Sequence, residues 1–324
     1  MSSVTTDLIS DQEWAAFARQ GYLHLGRVAD DATLAALRQR VDDLAMGTVE
    51  NPQIQLQRDT GGAYEQLPGA VRRFDEGTHL YRKVQGLEAD DRFVELVKHP
   101  LFVEVCAQLY GAHAPISIFR AMVMNKPAHQ GTVLPWHQDG GTVWELDRDP
   151  LVTIWTALDD ATPENGCLEI VPGSHRLGLL SWFGSTVSDE NVARYARPEM
   201  VQPLPVPAGH AVLLHNWLLH RSGVNPSSSP RRAFTCCYLD GRTRNNLTGD
   251  LLHRVWGELP GETPAYLDQL RSENQQLRAA RDSAVGYAES LQRENVRLQA
   301  SMAEATHYAQ TLEAEISKLQ PARV

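Results

Sequence analysis

The spacing of hydrophobic positions predicts helices in the N-terminal part of the chain. Residues 10–46 predict a helix, a short strand and a second helix: apolar positions recur every three or four residues on either side of the alternating segment YLHLG. Ser10 is the predicted N-cap of the first helix. Residues 91–110 show helical spacing again, and Pro100 divides them into two helices because proline cannot continue a helix from its N-terminal side.

From about residue 114 the pattern changes to short apolar runs separated by Gly, Pro and Asn, which is typical of strands in a sandwich or barrel. Helices followed by many short strands predict an α+β fold. We expect a jelly-roll core (a cupin-like double-stranded β-helix) buttressed by the N-terminal helices. The runs are ISIFRAMVM, LVTIWTALD, CLEIVPGSH, AVLLHNWLLH and AFTCCYLD.

The C-terminal part repeats itself every 21 residues, which is three heptads. The repeats begin YLDQLRSENQQL, YAESLQRENVRL and YAQTLEAEISKL, and leucine or alanine occupies each d position. This pattern predicts a long α-helical coiled coil at 265–320, joined by a linker at 257–264 to a domain at 1–256.

Asn274 and Asn295 fall at a positions of this heptad pattern. Because a buried asparagine pairs with its own copy, they favour a parallel homodimer. Recruitment of a partner protein through the same a and d positions is an alternative to the homodimer. An amphipathic helix that folds back on the core is a further alternative, because alanines and Arg281 weaken the seam.

Composition excludes several classes of protein. The chain has 324 residues, 42% of them hydrophobic, and a formal net charge of -10. This acidic balance argues against a nucleic-acid partner. Neither a signal peptide nor a membrane-spanning apolar run is visible, so we expect a cytoplasmic protein. The four cysteines form no CxxC pair, and buried thiols in a reducing compartment are the expected state.

The segment PWHQDGG at 135–141 carries the first chemical signal. On a strand, His137 and Asp139 point to the same side while Gln138 points to the other. An imidazole and a carboxylate can therefore occupy neighbouring positions around one metal ion. A second histidine completes a facial triad with open positions, which suits non-haem iron(II). His-x-Asp alone is a weak signal.

The segment HRSGVNPSSSPRRAF adds the second half of the signal. His220 lies in an apolar strand, and Arg231 can return beside it on a neighbouring strand. Its guanidinium matches a carboxylate in bidentate geometry. His215 and His210 are alternatives to His220, although His215 is expected to face the other side of a regular strand. Arg232 is the alternative to Arg231.

Four segments, together with the early YRKVQGLEADD, resemble the phytanoyl-CoA dioxygenase family, which includes ectoine hydroxylase-like enzymes. The resemblance spans roughly residues 10–245 and is specific only in combination. The segments are MNKPAHQGTVLPWHQD, VTIWTALDD, ENGCLEIVPGSH and HRSGVNPSSSPRRAF.

This resemblance implies a dioxygenase that uses iron(II), 2-oxoglutarate and O2. It implies His137, Asp139 and His220 as iron ligands and Arg231 as the partner of the distal carboxylate of 2-oxoglutarate. Ser222 would assist that arginine, and Lys83 lies near the place of another cosubstrate contact. Related halogenases carry a small residue in place of the carboxylate, so Asp139 favours hydroxylation.

One departure from the family pattern is Arg221, where family members usually have glycine. Because of this departure, the resemblance does not predict the conformation of the loop after His220. His175 is expected to fix the turn in which it lies, and Trp144 and Thr142 are the first candidates for substrate contacts because they follow the metal motif.

Two other classes of function compete with the oxygenase. One is a catalytically silent jelly-roll that serves as a binding module, for which an intact triad with an arginine would be unnecessary. The other is a cupin-like zinc or manganese isomerase or hydrolase, which needs no dicarboxylate-binding arginine. We expect a small-molecule substrate, a metabolite or a natural-product intermediate, whose identity the sequence does not reveal.

Overall fold

The computed structural model describes residues 8–257 and part of the stretch between residues 272 and 305. Its contacts divide the chain into two units, Met1–Leu259 and Pro260–Val324. The predicted coiled coil lies largely outside the described residues. Those of its residues that are described are helical and exposed, and the coiled coil stays a prediction.

The helices of the first unit begin and end where the sequence signals place them. Ser10 and Glu13 form a reciprocal capping box at the first helix, with the Ser10 backbone N–H donating to the Glu13 carboxylate at 2.8 Å. Pro100 is the first residue of the fourth helix, so the predicted break there is confirmed. The helices are α1 (Asp11–Gln20), α2 (Asp31–Met46), α3 (Asp91–Val97), α4 (Pro100–Tyr110) and α5 (Asp189–Tyr195).

The strands begin early in the chain but become dense after residue 115, as the short apolar runs predict. They are β1 (Tyr22–Arg27), β2 (Gln55–Arg58), β3 (Tyr81–Gln85), β4 (Ile116–Lys126), β5 (Leu134–Gln138), β6 (Val152–Ala157), β7 (Leu168–Ile170), β8 (Ser185–Thr186), β9 (Gln202–Leu204), β10 (His210–His215), β11 (His220–Ser222), β12 (Arg231–Asp240) and β13 (His253–Trp256).

Within the described residues these strands form two antiparallel sheets. The larger sheet has eight strands in the order β1-β10-β6-β12-β4-β3-β2, with β13 also paired to β4. The smaller sheet has five, in the order β8-β5-β11-β7-β9. Two antiparallel sheets with helices added are consistent with the predicted jelly-roll core. No helix of the described part combines the length and the apolar content that a membrane span requires.

Strand β12 separates the helical layer from a cavity on its other side. Phe234 and Tyr238 face the helices: the Phe234 ring lies 5.0 Å from that of Phe93, and the Tyr238 hydroxyl donates to the Val97 carbonyl at 2.8 Å. Residues at alternate positions, such as Cys237, line the cavity instead. The period of two along a strand thus gives β12 one face for stability and one for a site.

Candidate active site

His137 and Asp139 lie at the end of β5 and share one side of it. His137 is within the strand, and Asp139 directly follows it, its backbone N–H donating to the Asn216 carbonyl at 2.7 Å. Gln138 is buried on the opposite side, where its amide makes three hydrogen bonds of 2.7–2.9 Å with backbone groups. The predicted alternation is therefore present, and Gln138 anchors the strand end that carries the other two side chains.

Two glycines turn the chain immediately after Asp139. Gly141 has a φ of 87°, and a Cβ there would lie 2.7 Å from the Gly184 nitrogen. Its own N–H donates to the Asp149 carboxylate at 3.0 Å. Since other residues rarely adopt this φ and would clash, glycine is required for the turn that holds Asp139 beside the strand.

His220 arrives from the neighbouring strand β11. It is the Cα partner of His137 in the antiparallel pairing of β11 with β5, and the two ring centroids are 4.0 Å apart. The Nε2 of His220 lies 4.0 Å from Oδ2 of Asp139. One possible ligand atom from each of the three residues lies within 4.8 Å of the others, a spacing that one metal ion can bridge.

Both imidazoles are oriented by their second nitrogen. Nδ1 of His137 donates to the Pro135 carbonyl and Nδ1 of His220 donates to the Leu218 carbonyl, each at 2.8 Å. This leaves Nε2 of each ring as the atom with a free lone pair. Burial, with a contribution from His220, lowers the pKa of His137 to about 3, so its ring is neutral. Two neutral imidazole nitrogens and one carboxylate fit iron(II).

The other histidines lie away from this group. The His215 ring packs 4.9 Å from that of His175, and its Nδ1 accepts from the Trp217 backbone N–H at 3.0 Å. His175 bonds to the Ala18 carbonyl at 3.1 Å, consistent with the expected structural role. His210 begins β10, at the opposite end of that strand from His215. The structure brings His220, and neither His215 nor His210, to the pair on β5.

Arg231 is a buried cation that lacks an acidic partner. Only 3% of the residue is exposed; one Nη donates to the Gly166 carbonyl at 2.9 Å, and its buried Nε has no partner. Within residues 8–257 no carboxylate forms an ion pair with it. Burial lowers the pKa of Arg231 to about 10, which still leaves it charged at neutral pH. Because a buried unpaired charge is costly, this guanidinium fits an anion that enters the cavity.

Arg232 points to the other face of β12. Its guanidinium pairs with Asp159 at 2.8 and 3.1 Å and with Asp42 of α2 at 3.0 Å. It does not line the cavity that contains Arg231. Its role is therefore to join the larger sheet to α2.

The cavity between the sheets brings together most of the predicted site. Lys83 reaches it from β3; burial, followed by the charges of two neighbouring arginines, lowers the pKa of Lys83 to about 7, and Asp139 acts in the opposite direction. Ser222 is 2% exposed. Of the six predicted site residues, five line the cavity, and the sixth, His137, adjoins it through His220: the five are Lys83, Asp139, His220, Ser222 and Arg231.

Two cationic residues of the cavity were not predicted as site residues. Arg82 and Arg120 both line it; Arg82 lies in the segment YRKVQGLEADD, and Arg120 belongs to no recognisable motif. Trp144, expected to contact substrate, lines the cavity, whereas Thr142 does not. Arg82 at least adjoins the predicted Lys83, but nothing in the sequence around Arg120 indicates where its side chain points.

Arg221, the departure from the family pattern, faces away from the cavity. It forms a bidentate ion pair with Glu169 of β7 at 2.7 and 3.3 Å, and its guanidinium lies 4.9 Å from the Trp136 ring centre. The alternation of β11 places His220 and Ser222 on the inner side. An arginine in place of glycine is thus accommodated outside the site.

This fold, with two histidines and one carboxylate at the cavity, defines the class of non-haem iron oxygenases. The family model for phytanoyl-CoA dioxygenase (PhyH) matches residues 17–233. The chain therefore belongs to the phytanoyl-CoA dioxygenase family and is an enzyme of the iron(II)- and 2-oxoglutarate-dependent dioxygenase class, as the resemblance predicted. An L-proline trans-4-hydroxylase from Streptomyces griseoviridis is 29% identical over 263 residues, which are 74% of this chain and 87% of that protein.

Solved structures show the same fold. The crystal structure of EctD from S. alaskensis with 2-oxoglutarate and 5-hydroxyectoine has a TM-score of 0.59 at 21% identity, over 80% of this chain and 88% of that one. The structure of the same protein with bound Fe gives a TM-score of 0.56, again at 21% identity, and covers 80% of this chain and 84% of that one. At this identity the likeness concerns the architecture.

Proposed function

We propose that this enzyme hydroxylates a small molecule, a metabolite or a natural-product intermediate, with iron held by His137, Asp139 and His220. The observation that carries the proposal is the presence of three converging ligand atoms and the unpaired Arg231 in one cavity. Iron(II), when bound, supplies the activation of dioxygen. Asp139 provides a third protein ligand, which supports hydroxylation as the outcome, and the hydroxylase among the relatives supports it too.

Binding of 2-oxoglutarate would rest on the buried cations. Arg231 would pair with the distal carboxylate, because its residue lines the cavity and its guanidinium has an Nε without a partner. Ser222 would add a hydroxyl donor beside it, and Lys83 would contribute positive charge near Asp139. These groups would orient the cosubstrate so that its keto acid end meets the triad. Apolar walls that include Trp155 would exclude water from the reaction.

The competing functions lack a matching observation. An isomerase or hydrolase with the same ligands gains nothing from a buried arginine that lacks an acidic partner. A silent binding module gains nothing from two imidazoles whose Nδ1 atoms are both tied to backbone carbonyls. The cost of burying these polar groups is explained by a site that binds a metal ion and a dicarboxylate.

The test is an anaerobic titration of the full chain with iron(II), then with 2-oxoglutarate, followed by admission of air and measurement of succinate. We expect one iron per chain, cosubstrate binding that requires iron, and succinate release that a substrate screen then stimulates. Binding of iron without any effect of 2-oxoglutarate would favour the isomerase or hydrolase. Arg231→Leu is the matched variant, which should keep iron and lose the cosubstrate.

We also propose that the chain consists of an oxygenase domain at 1–256, a linker at 257–264 and a coiled-coil helix at 265–320. Leu291 and Leu298, both at predicted d positions, are 51% and 55% exposed in the isolated chain, which supports burial against a second helix. A parallel homodimer is the simplest partner for such a seam. The four buried, unpaired cysteines of the first unit support a reducing, cytoplasmic location.

A further inference from the structure

The cavity contains more positive charge than its proposed cosubstrate needs. Its lining includes Arg82, Lys83, Arg120 and Arg231 but only one acidic residue, Asp139, in a chain whose formal net charge is -10. Metal binding would occupy Asp139. Arg82 is engaged by the Gln57 side chain and the Tyr64 ring. Arg120 is therefore the cation to which the proposed function assigns no role.

A β-bulge brings Phe119 to the cavity side of β4, which Arg120 shares with Met122 and Met124. In the pairing of β4 with β12, Arg120 is opposite Cys237 whereas Ile118 is opposite Tyr238, so Phe119 is an extra residue. Ile118 faces the helical layer, while both Phe119 and Arg120 lie on the cavity side. Two successive side chains on one face are what a bulge produces, and bulges commonly aim a side chain at a site.

The bulge also builds a support for the guanidinium. The Phe119 and Trp144 rings are stacked with centroids 4.7 Å apart, and the guanidinium of Arg120 lies 4.6 Å from the first ring and 5.0 Å from the second. In the described part of the chain, the side chain of Arg120 has neither a hydrogen bond nor an ion pair. These ring contacts hold the guanidinium in place without using its N–H donors.

Arg120 is too distant to share the carboxylate expected at Arg231. Arg231 pairs with Lys126 across β12 and β4, and the Cα of Lys126 lies six residues from that of Arg120, roughly 20 Å along the strand. The triad side chains Asp139 and His220 line the same cavity. The two arginines therefore lie at different ends of the cavity: Arg231 at the proposed cosubstrate site and Arg120 beyond it.

We infer that the primary substrate carries an anionic group, most simply a carboxylate, which the stacked guanidinium of Arg120 binds while the rest of the molecule lies over the triad. This inference rests on the proposed function. It assigns Arg120 as a substrate-binding residue and Trp144 as its support. A planar guanidinium held on two rings presents paired donors that match a carboxylate, and a neutral amide in the same place would leave the charge unpaired.

The experiment is calorimetric titration of the full chain, loaded anaerobically with iron(II) and saturating 2-oxoglutarate. Each of three probe pairs compares a carboxylate with its amide of similar shape: L-proline and L-prolinamide, phenylacetate and phenylacetamide, octanoate and octanamide. We expect at least one carboxylate to bind about tenfold more tightly than its amide. Arg120→Gln should abolish that preference, and Arg120→Lys should retain part of it because the charge remains.

Arg194→Gln is the matched control: Arg194 also stacks on a ring, that of Tyr195 at 5.2 Å, but lies on α5 outside the cavity lining. It should keep the preference. If no carboxylate binds, if amides bind equally well, or if Arg120→Gln keeps the preference, the inference is wrong. Succinate release in the absence of any probe tests the proposed function separately, so a failure of the inference can be told apart from a failure of the proposed function.

Discussion

His220 lies directly opposite His137 in the pairing of β11 with β5, with ring centroids 4.0 Å apart. A single hydrogen-bonded register therefore sets the distance between two histidines that are far apart in the chain. A slip of one residue would turn His220 to the outer face, where Arg221 now pairs with Glu169. The metal site is thus a property of strand pairing, and Asp139 is added by the turn that follows.

Replacement of Asp139 by alanine is expected to abolish succinate formation and leave the fold intact. The side chain is 31% exposed, so little packing is lost, whereas one of three proposed ligands disappears. Iron content, succinate release and thermal unfolding of the variant check this. Retained 2-oxoglutarate decarboxylation would contradict the ligand assignment, and loss of the folded state would contradict the expectation that Asp139 contributes little to packing.

Arg231→Leu is expected to weaken 2-oxoglutarate binding on the order of a hundredfold, since the variant loses a charge-assisted, desolvated contact. Its stability should hold or rise, because the wild-type charge is buried without an acidic partner. The KM for 2-oxoglutarate and the free energy of unfolding are the two measurements. An unchanged KM would remove Arg231 from the cosubstrate site.

Arg232→Leu should show the reverse pattern. This neighbour pairs with Asp159 and Asp42 on the helical side. Its loss leaves Asp159 with Arg38 as its remaining cation and Asp42 with His79 at 3.6 Å. We expect a decrease of about 2–3 kcal/mol in the free energy of unfolding and little change in the KM for 2-oxoglutarate. A variant that loses cosubstrate affinity but keeps its stability would exchange the roles assigned to the two arginines.

The local part of this site could be predicted from the sequence. His137, Gln138 and Asp139 obey the period of a strand, and the choice of Arg231 over Arg232 agrees with the face that each occupies on β12. Patterns with short range in the chain, such as the Ser10 cap and the break at Pro100, also correspond to the observed helix ends.

What the sequence could not indicate depends on contacts between distant segments. The bulge at Phe119 arises from the register of β4 against β12, and no residue type marks it in advance. Arg120 therefore looks like an ordinary strand residue until its partner strand is known. Likewise, Arg221 seems to disturb the ligand loop until Glu169 is found beside it. Pairing register, unlike periodicity, is decided by the whole fold.

Truncation after residue 257 is expected to leave an active enzyme with a lower oligomeric state. The first unit, Met1–Leu259, contains both sheets, every proposed site residue and the described lining of the cavity. Light scattering and succinate release of the full and truncated chains check this. A full-length protein that is already monomeric would remove the homodimer, and an inactive but folded truncated form would show that the segment contributes to catalysis.

Lys126 is a buried lysine, 5% exposed, whose Nζ donates to the Thr132 carbonyl at 2.8 Å. Burial, followed by the charges of Arg231 and Arg82, lowers the pKa of Lys126 to about 6 from the ordinary value of 10.5, and Asp59 acts in the opposite direction. Between these two values the unfolded chain binds a proton that the folded chain does not.

Stability should therefore rise with pH between about 6 and 10.5, at up to about 1.4 kcal/mol per pH unit from this lysine, and level off outside that window. Urea unfolding of the wild type and of Lys126→Met, from pH 6.5 to 9.5, isolates the effect, because the other titrating groups cancel in the difference between the two proteins. Lys98→Met, at an exposed position on the end of α3, serves as the control. Its free energy of unfolding should change with pH as that of the wild type does. If the stability of Lys126→Met also follows that of the wild type with pH, the buried lysine keeps its proton in the folded state.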